Sequence, residues 1–390
     1  MTRNRLVAAL ISSGLLAVSA CGSDNDALPP ATTVAATTVA TTAVVAPVTT
    51  VAKAEPVSAS GITAERCEAN KKAGKITYLS GFDFAATASI VEVVVAAEKG
   101  YFTKMCLDVD IKASFSTANY PLVAANTAQF SSSGSYTEML NFNKDGAELV
   151  AVTHAGKQGI DALLVRADGV IKTPADIKGK TIGVKGALPP SEVALLNKYG
   201  LKQGVDYKEV LVPGFDPKAH WALPIDALPV FKSNEPNQLD QAGLKYVMFD
   251  PAKEGIPGSF GLIYTNKKFL TEHSGAAQDF VRAAMKGMAD AIANPDEATA
   301  LCFKRIVAGG NKNFLSEPGE KYRWAVEAKI VTESSKGKPV GIIDPSELNT
   351  LVDAYVAAGV LKTKPKVEGT YDEGTVKGVY GSDGKVIWPA

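Results

Sequence analysis

The 390 residues include only three histidines and four cysteines, and acidic and basic residues balance at 41 each. His154, His220 and His273 lie far apart, and no CxxC pair or Cys/His cluster occurs, so no metal site is expected. With no basic stripe, neither nucleic acid nor an anionic membrane surface is an expected partner. No nucleophile–base pair is evident either, so no catalytic residue and no cofactor is assigned. Long apolar runs are missing as well. Residues 6–20 are mostly apolar, but fifteen residues fall short of the roughly twenty a membrane-spanning helix needs. Residues 31–52 are uncharged, yet eight of the twenty-two are threonine, Pro47 interrupts them, and Leu, Ile and Phe are absent. Branched, hydroxylated side chains make a poor membrane span, and the stretch reads as a flexible Ala/Thr/Val/Pro linker.

What is present at the start is an export signal. Arg3 and Arg5 precede the short apolar run, and small residues follow it, the order of a secretory leader. Val18-Ser19-Ala20-Cys21 resembles the bacterial lipobox, which implies that residues 1–20 are removed and that Cys21 carries a lipid at the outer face of the cell membrane. Residues 21–61 then form the tether. Without Arg3 and Arg5 the 41 basic residues become 39, against 41 acidic ones. The remainder, from Ile62 to Ala390, is long enough for two domains. Cys67 and Cys106 are candidates for a disulfide in an oxidising compartment, which their spacing permits without requiring. Cys302, in an apolar helical stretch, reads as a buried free thiol.

Along the folded part, short strand-like runs alternate with helical ones. Residues 75–79, 107–111, 128–131, 149–153 and 160–165 read as strands, and 86–99, 120–126 and 136–143 as helices. Gly100 suits a left-handed helix end. The pattern restarts with strands near 181–184, 208–211, 226–231 and 246–249, and residues 260–265 return to the first sheet. A helix over 276–293 carries Phe280, Met285, Met288 and Ile292 at core spacing, and Asp383-Gly384 suits a hairpin turn. Such alternation predicts mainly parallel sheets covered by helices. The expected architecture is two α/β lobes, the second inserted in the first: residues 62–158 with 262–390, and residues 159–261. Ligands of open α/β sheets sit beyond the carboxyl ends of strands, so the polar strand-to-helix loops are the candidate site.

Several segments, in order, resemble a known family of solute-binding proteins. Glu98-Lys-Gly-Tyr-Phe with Cys106-Leu-Asp-Val-Asp-Ile is similar to its EKGYF…GLDVEI signature, and Asp176-Ile-Lys-Gly-Lys-Thr-Ile-Gly-Val to its DLKGKTIGV segment. Lys232-Ser-Asn-Glu-Pro, followed by Leu239 and Ala242-Gly-Leu, resembles the SNEP…L…AGI segment of the branch that binds pyrimidine precursors of thiamine. Asp250-Pro-Ala and Tyr264-Thr-Asn-Lys-Lys-Phe-Leu continue the likeness, which spans about residues 76–294. The family joins these proteins to SsuA-type alkanesulfonate binders. It implies a type II periplasmic-binding fold hinged around a ligand cleft, and, as partners, a small-molecule ligand and an ABC permease with its ATPase, the binding protein itself acting as a monomer. Its ligands include thiamine-pyrimidine precursors, riboflavin, alkanesulfonates, taurine and nitrate. A eukaryotic branch contains a pyrimidine (HMP) synthase with a CCCFC motif. No such motif occurs here, so a non-enzymatic binder is the expected reading and the synthase its alternative.

The loops supply the candidate ligand contacts. Phe82 and Phe84 offer faces for a flat ring and Asp83 an acceptor for a ring amine, although helix capping by Asp83 and core packing of the rings would also explain them. Ser133, in a hydroxyl-rich turn, and Tyr136 after it could line the cleft or simply open a helix. Lys185 begins a second-lobe loop in which Ser191 is a candidate helix cap. Asn234 and Glu235 are the leading second-lobe candidates, because the resemblance implies that the glutamate of that motif recognises the ring; a structural salt bridge or cap is the alternative. Asp226 is a candidate hinge support. None of Arg66, Arg166, Arg282, Arg305 and Arg323 falls in these loops, so no guanidinium clamp for an anion is expected. Where pyrimidine-type relatives carry a polar DFYGD stretch, Pro257-Gly-Ser-Phe-Gly stands instead, which favours a differently shaped, larger ring.

Overall fold

The computed structural model describes residues 62–144, 146–310 and 315–388. The leader, Cys21 and the linker lie outside them. Two five-stranded sheets form the frame. The first contains β1 (Lys75–Leu79), β2 (Asp108–Lys112), β3 (Phe130–Ser133), β4 (Leu149–Ala151) and β10 (Leu262–Asn266), in the order β2-β1-β3-β10-β4. The second contains β5 (Asp161–Arg166), β6 (Thr181–Val184), β7 (Lys208–Leu211), β8 (Ala227–Phe231) and β9 (Tyr246–Phe249), in the order β7-β6-β8-β5-β9. The strand Leu262–Asn266 is buried at every position, so both of its faces are covered.

The sheets are mainly parallel, as expected, with one reversed strand in each. β1 runs parallel to β2 and β3, but β10 is antiparallel to both of its neighbours. Likewise β6 is parallel to β7 and β8, whereas β5 is antiparallel to β8 and β9. The cause is the exchange of chain between sheets. β5 and β10 are each fed by a segment arriving from the other sheet rather than by a local helical crossover, so each enters against the direction of its neighbours. The two connecting segments run side by side and bond to one another, Gly156 N–H to Phe260 O at 3.0 Å and Phe260 N–H back to Gly156 O at 2.9 Å. Close approach requires glycine here: a Cβ on Gly258 would stand 2.3 Å from Gly159 Cα.

Around the first sheet the core is continuous. The Val91–Glu98 helix, apolar on nearly every face, is buried against the long Ser274–Ala293 helix. Gly287 makes this packing possible, since a Cβ there would meet Glu92 O at 2.2 Å. Phe280, Met285 and Met288 are buried as their spacing predicts, and Phe280 stacks on Phe130 at 4.0 Å. The helix expected over 86–99 begins only at Val91, and the one expected over 120–126 runs over Ser116–Ala124 with Pro121 inside it. A disulfide joins Cys67 to Cys106, while Cys302 is a buried thiol. The chain closes on a turn at Gly381–Lys385, bonded through a bridge between Tyr380 and Val386. No helix of the described residues is long and apolar enough to cross a membrane.

Candidate functional site

Between the two sheets lies a cavity of about 400 Å³, at the carboxyl ends of their parallel strands. This is the position that open α/β sheets use for ligands, and the volume suits a small organic molecule. The loop after β1 brings Phe82; the loop after β2 brings Phe115, and the helix that follows it Ser116; the end of β3 brings Ser133, and the next helix Glu138. From the second sheet come Lys185, after β6, and Phe231, Asn234 and Glu235, from the end of β8 onward. Phe82 meets Phe115 edge-on at 5.8 Å and Phe215 at 6.3 Å between ring centres. Phe115, Phe215 and Phe231 stay substantially exposed, an apolar surface that a folded chain leaves open where something else is to cover it.

Of the eight candidate ligand residues, five line this cavity: Phe82, Ser133, Lys185, Asn234 and Glu235. The other three do not. Phe84 is buried in the hydrophobic core, with the Arg305 guanidinium 5.8 Å from its ring centre. Asp83 lies beneath Gly310 and accepts the Phe84 N–H at 2.7 Å, so its carboxylate is turned from the cleft. Tyr136 is fully buried, with its hydroxyl against Thr370 Oγ1 at 2.5 Å. The helix it starts is capped by Ser135. Asp226, just before β8, accepts the Thr181 N–H at 2.8 Å and so pins β6, within the second sheet rather than at the connecting segments.

The electrostatics are those of paired groups. Glu235, almost wholly buried, accepts from the Lys185 ammonium and, at 2.9 Å, from the Phe231 N–H. Burial alone would raise its carboxyl; the charge and hydrogen bond of Lys185, with the backbone donors, outweigh that and hold it below the ordinary value. Glu138 accepts from Ser116 Oγ at 3.1 Å, and burial pushes its carboxyl up. Several lining residues escaped the sequence reading, Phe115, Phe215 and Glu138 among them, and two more stand far from the candidate loops. Arg323 and Glu327 come from the Glu317–Ser334 helix, far along the chain from any loop motif. Arg323 thus reaches the cavity from a helix and not from one of the candidate loops. Arg323 Nη2 donates to Asn234 Oδ1 at 2.8 Å, its Nε lies 3.4 Å from Glu320, and its guanidinium stands 5.8 Å from the Phe82 ring centre. Both cations of the lining are thus engaged by protein partners, against three carboxyl groups. Among the described residues, no group of three or more His, Cys, Asp or Glu is arranged to hold a metal ion.

Two mixed α/β lobes that exchange strands and enclose such a cleft are the periplasmic-binding fold. The periplasmic aliphatic sulphonate binding protein SsuA of Escherichia coli shares it, with a TM-score of 0.57 at 15% identity over 76% of this chain and 90% of that one. The NMT1/THI5-like family model matches residues 87–298, more than half of the chain, and the chain belongs to that family. It is 29% identical over 229 residues to the riboflavin-binding protein RibY of Chloroflexus aurantiacus, covering 54% of this chain and 61% of that protein. It is also 28% identical over 216 residues to the formylaminopyrimidine-binding protein of Halalkalibacterium halodurans, covering 52% and 63% respectively. The chain thus spans less than two thirds of the length of these curated relatives.

Proposed function

We propose that this protein is the extracytoplasmic solute-binding component of an ABC importer, tethered to the membrane by a lipid on Cys21, and that it binds a flat nitrogen heterocycle without transforming it. The observation that carries this reading is the aromatic cleft itself: Phe82, Phe115, Phe215 and Phe231 around the buried Glu235. A planar ring fills such a slot by stacking, and a carboxylate held in its charged form accepts N–H donors from the ring edge. Burying an anion is less favoured, because Lys185 and Arg323 already have partners while Glu138 and Glu327 add negative charge. Relatives named for riboflavin and for formylaminopyrimidine support the same ligand class. Closure of the lobes about the two connecting segments would then present the loaded form to a permease.

A thermal-shift screen of the full chain against riboflavin, formylaminopyrimidine, an alkanesulfonate and nitrate tests this. The expected result is a raised midpoint with one or both heterocycles and none with the anions. A shift with the alkanesulfonate alone would overturn the ligand class. Globomycin treatment of cells, which blocks lipoprotein leader cleavage, should leave the leader attached; a leader still removed would count against the anchor at Cys21.

A further inference from the structure

A second cavity, of about 410 Å³, adjoins the first, and the two have Asn234 and Arg323 in common. Those residues bond to each other, so the Asn234–Arg323 contact is the partition between the chambers. The chambers differ in chemistry. The first presents phenylalanine faces; the second presents Asn237, Gln238, Gln241, Ser316 and Lys218. Asn234 Oδ1 accepts from Arg323 and, at 3.2 Å, from Gln238 Nε2. That leaves Asn234 Nδ2 and Gln238 Oε1, a donor and an acceptor, without hydrogen-bond partners among the described residues.

Side-chain amides both donate and accept, so they suit a ligand group that does the same. An apolar chain would strand them, at a cost comparable to a lost hydrogen bond for each group left unpaired. A bare anion, which only accepts, would leave Gln238 Oε1 without a donor and meet the buried Glu320 carboxylate that also lines the chamber. We propose that the second chamber is a subsite for a short uncharged polyhydroxylated substituent. The ring lies in the aromatic chamber, and its chain displaces the Asn234–Arg323 hydrogen bond to reach the amides of Asn237 and Gln238. This rests on the heterocycle reading given above and adds the shape and chemistry of the ligand's second half.

The test uses two probes with one ring system: riboflavin, and lumiflavin, in which a methyl group replaces the hydroxylated chain. Dissociation constants of the full chain are measured by quenching of flavin fluorescence. Riboflavin is expected to bind about tenfold or more tighter than lumiflavin, as one or two hydrogen bonds imply. Gln238→Leu and, separately, Asn237→Ala should each weaken riboflavin about fivefold, and leave lumiflavin within twofold. Both side chains are half-buried on a helix surface, and unchanged circular dichroism checks that the fold persists. Equal affinity for the two probes, or equal loss of both in the variants, would overturn the subsite while leaving the heterocycle reading in place. Failure of both flavins to bind would overturn the subsite, and the heterocycle reading falls with it only if formylaminopyrimidine fails to bind as well.

Discussion

The Ser233 hydroxyl donates to Glu327 Oε1 at 2.8 Å, and the other oxygen of that carboxylate accepts from Thr87 Oγ1 at 2.5 Å and from the Ala88 N–H at 2.8 Å. Ser233 follows the second sheet's β8, and Thr87 and Ala88 precede the buried helix over the first sheet. One buried side chain therefore ties both lobes together at the edge of the cleft. Glu327→Ala should remove this tie and leave a backbone donor unpaired, lowering stability by about 1–3 kcal/mol. Ser233→Ala, which keeps the Thr87 and Ala88 bonds, should cost less, about 1 kcal/mol. Riboflavin should dissociate faster from both. Urea denaturation and stopped-flow release check the pair; equal stabilities in the two variants would contradict the bridging role.

The Lys185–Glu235 pair predicts an asymmetry. Lys185→Met leaves a buried carboxylate without its cation, whereas Glu235→Gln leaves a part-exposed ammonium that water can solvate. The lysine variant should therefore be the less stable. The double variant should be milder than the sum of the singles. Because Glu235 is held below its ordinary value, its contribution is present above about pH 4.5 and is lost as pH falls further. Chemical denaturation of the three variants at pH 7 and pH 4 measures both effects; additive losses would contradict the pairing.

Glu92 predicts the opposite pH response. Its side chain is fully buried in the Val91–Glu98 helix, with Oε1 accepting the Ser89 N–H at 2.8 Å and Oε2 unpartnered. Burial, with a smaller push from the Glu327 charge, raises it to about 8. A raised acid favours the folded state fully below its unfolded value of 4.5, and that contribution is lost as pH rises through 8. Glu92→Gln should therefore gain on the parent protein between pH 5 and pH 9 in thermal melts. Parallel profiles would show that Glu92 does not titrate in this window.

Reducing the Cys67–Cys106 bridge should destabilise the fold without emptying the cleft. The bridge fastens the Ala64–Lys71 helix to the entry of β2 and closes a loop of sequence separation 39. Loop-closure entropy puts the effect at about 4 kcal/mol as an upper figure. Cys67→Ser should lower the melting midpoint while riboflavin affinity at 25 °C stays within twofold. Buried Cys302 should react with a thiol reagent only after unfolding.

Much of the frame was legible because each strand is a short apolar run bounded by turn residues, and Gly100 does take left-handed backbone. The reversed sense of β5 and β10 was not legible, since nothing local tells them that their neighbours lie across a connecting segment. At the site, Lys185, Asn234 and Glu235 follow strands directly and could be read from position and motif. Phe82 and Phe84 could not be told apart, because they sit in an irregular loop where alternation carries no meaning. Arg323 and Glu327 were missed because charged residues on a helix normally read as a solvated face. Their signal was the spacing of Glu320, Arg323 and Glu327, which share the buried side of their helix with Trp324 and Val331.

The most direct test of the heterocycle-binding account is calorimetric titration of the full chain with riboflavin and with formylaminopyrimidine, repeated on Phe82→Ala and Glu235→Gln. The account predicts saturable binding of at least one of these ligands, weakened about tenfold or more in each variant as a stacking face or a charged acceptor is lost, with thermal midpoints showing that both variants still fold. Affinity unchanged in both variants, or binding of an alkanesulfonate in place of either heterocycle, would contradict it.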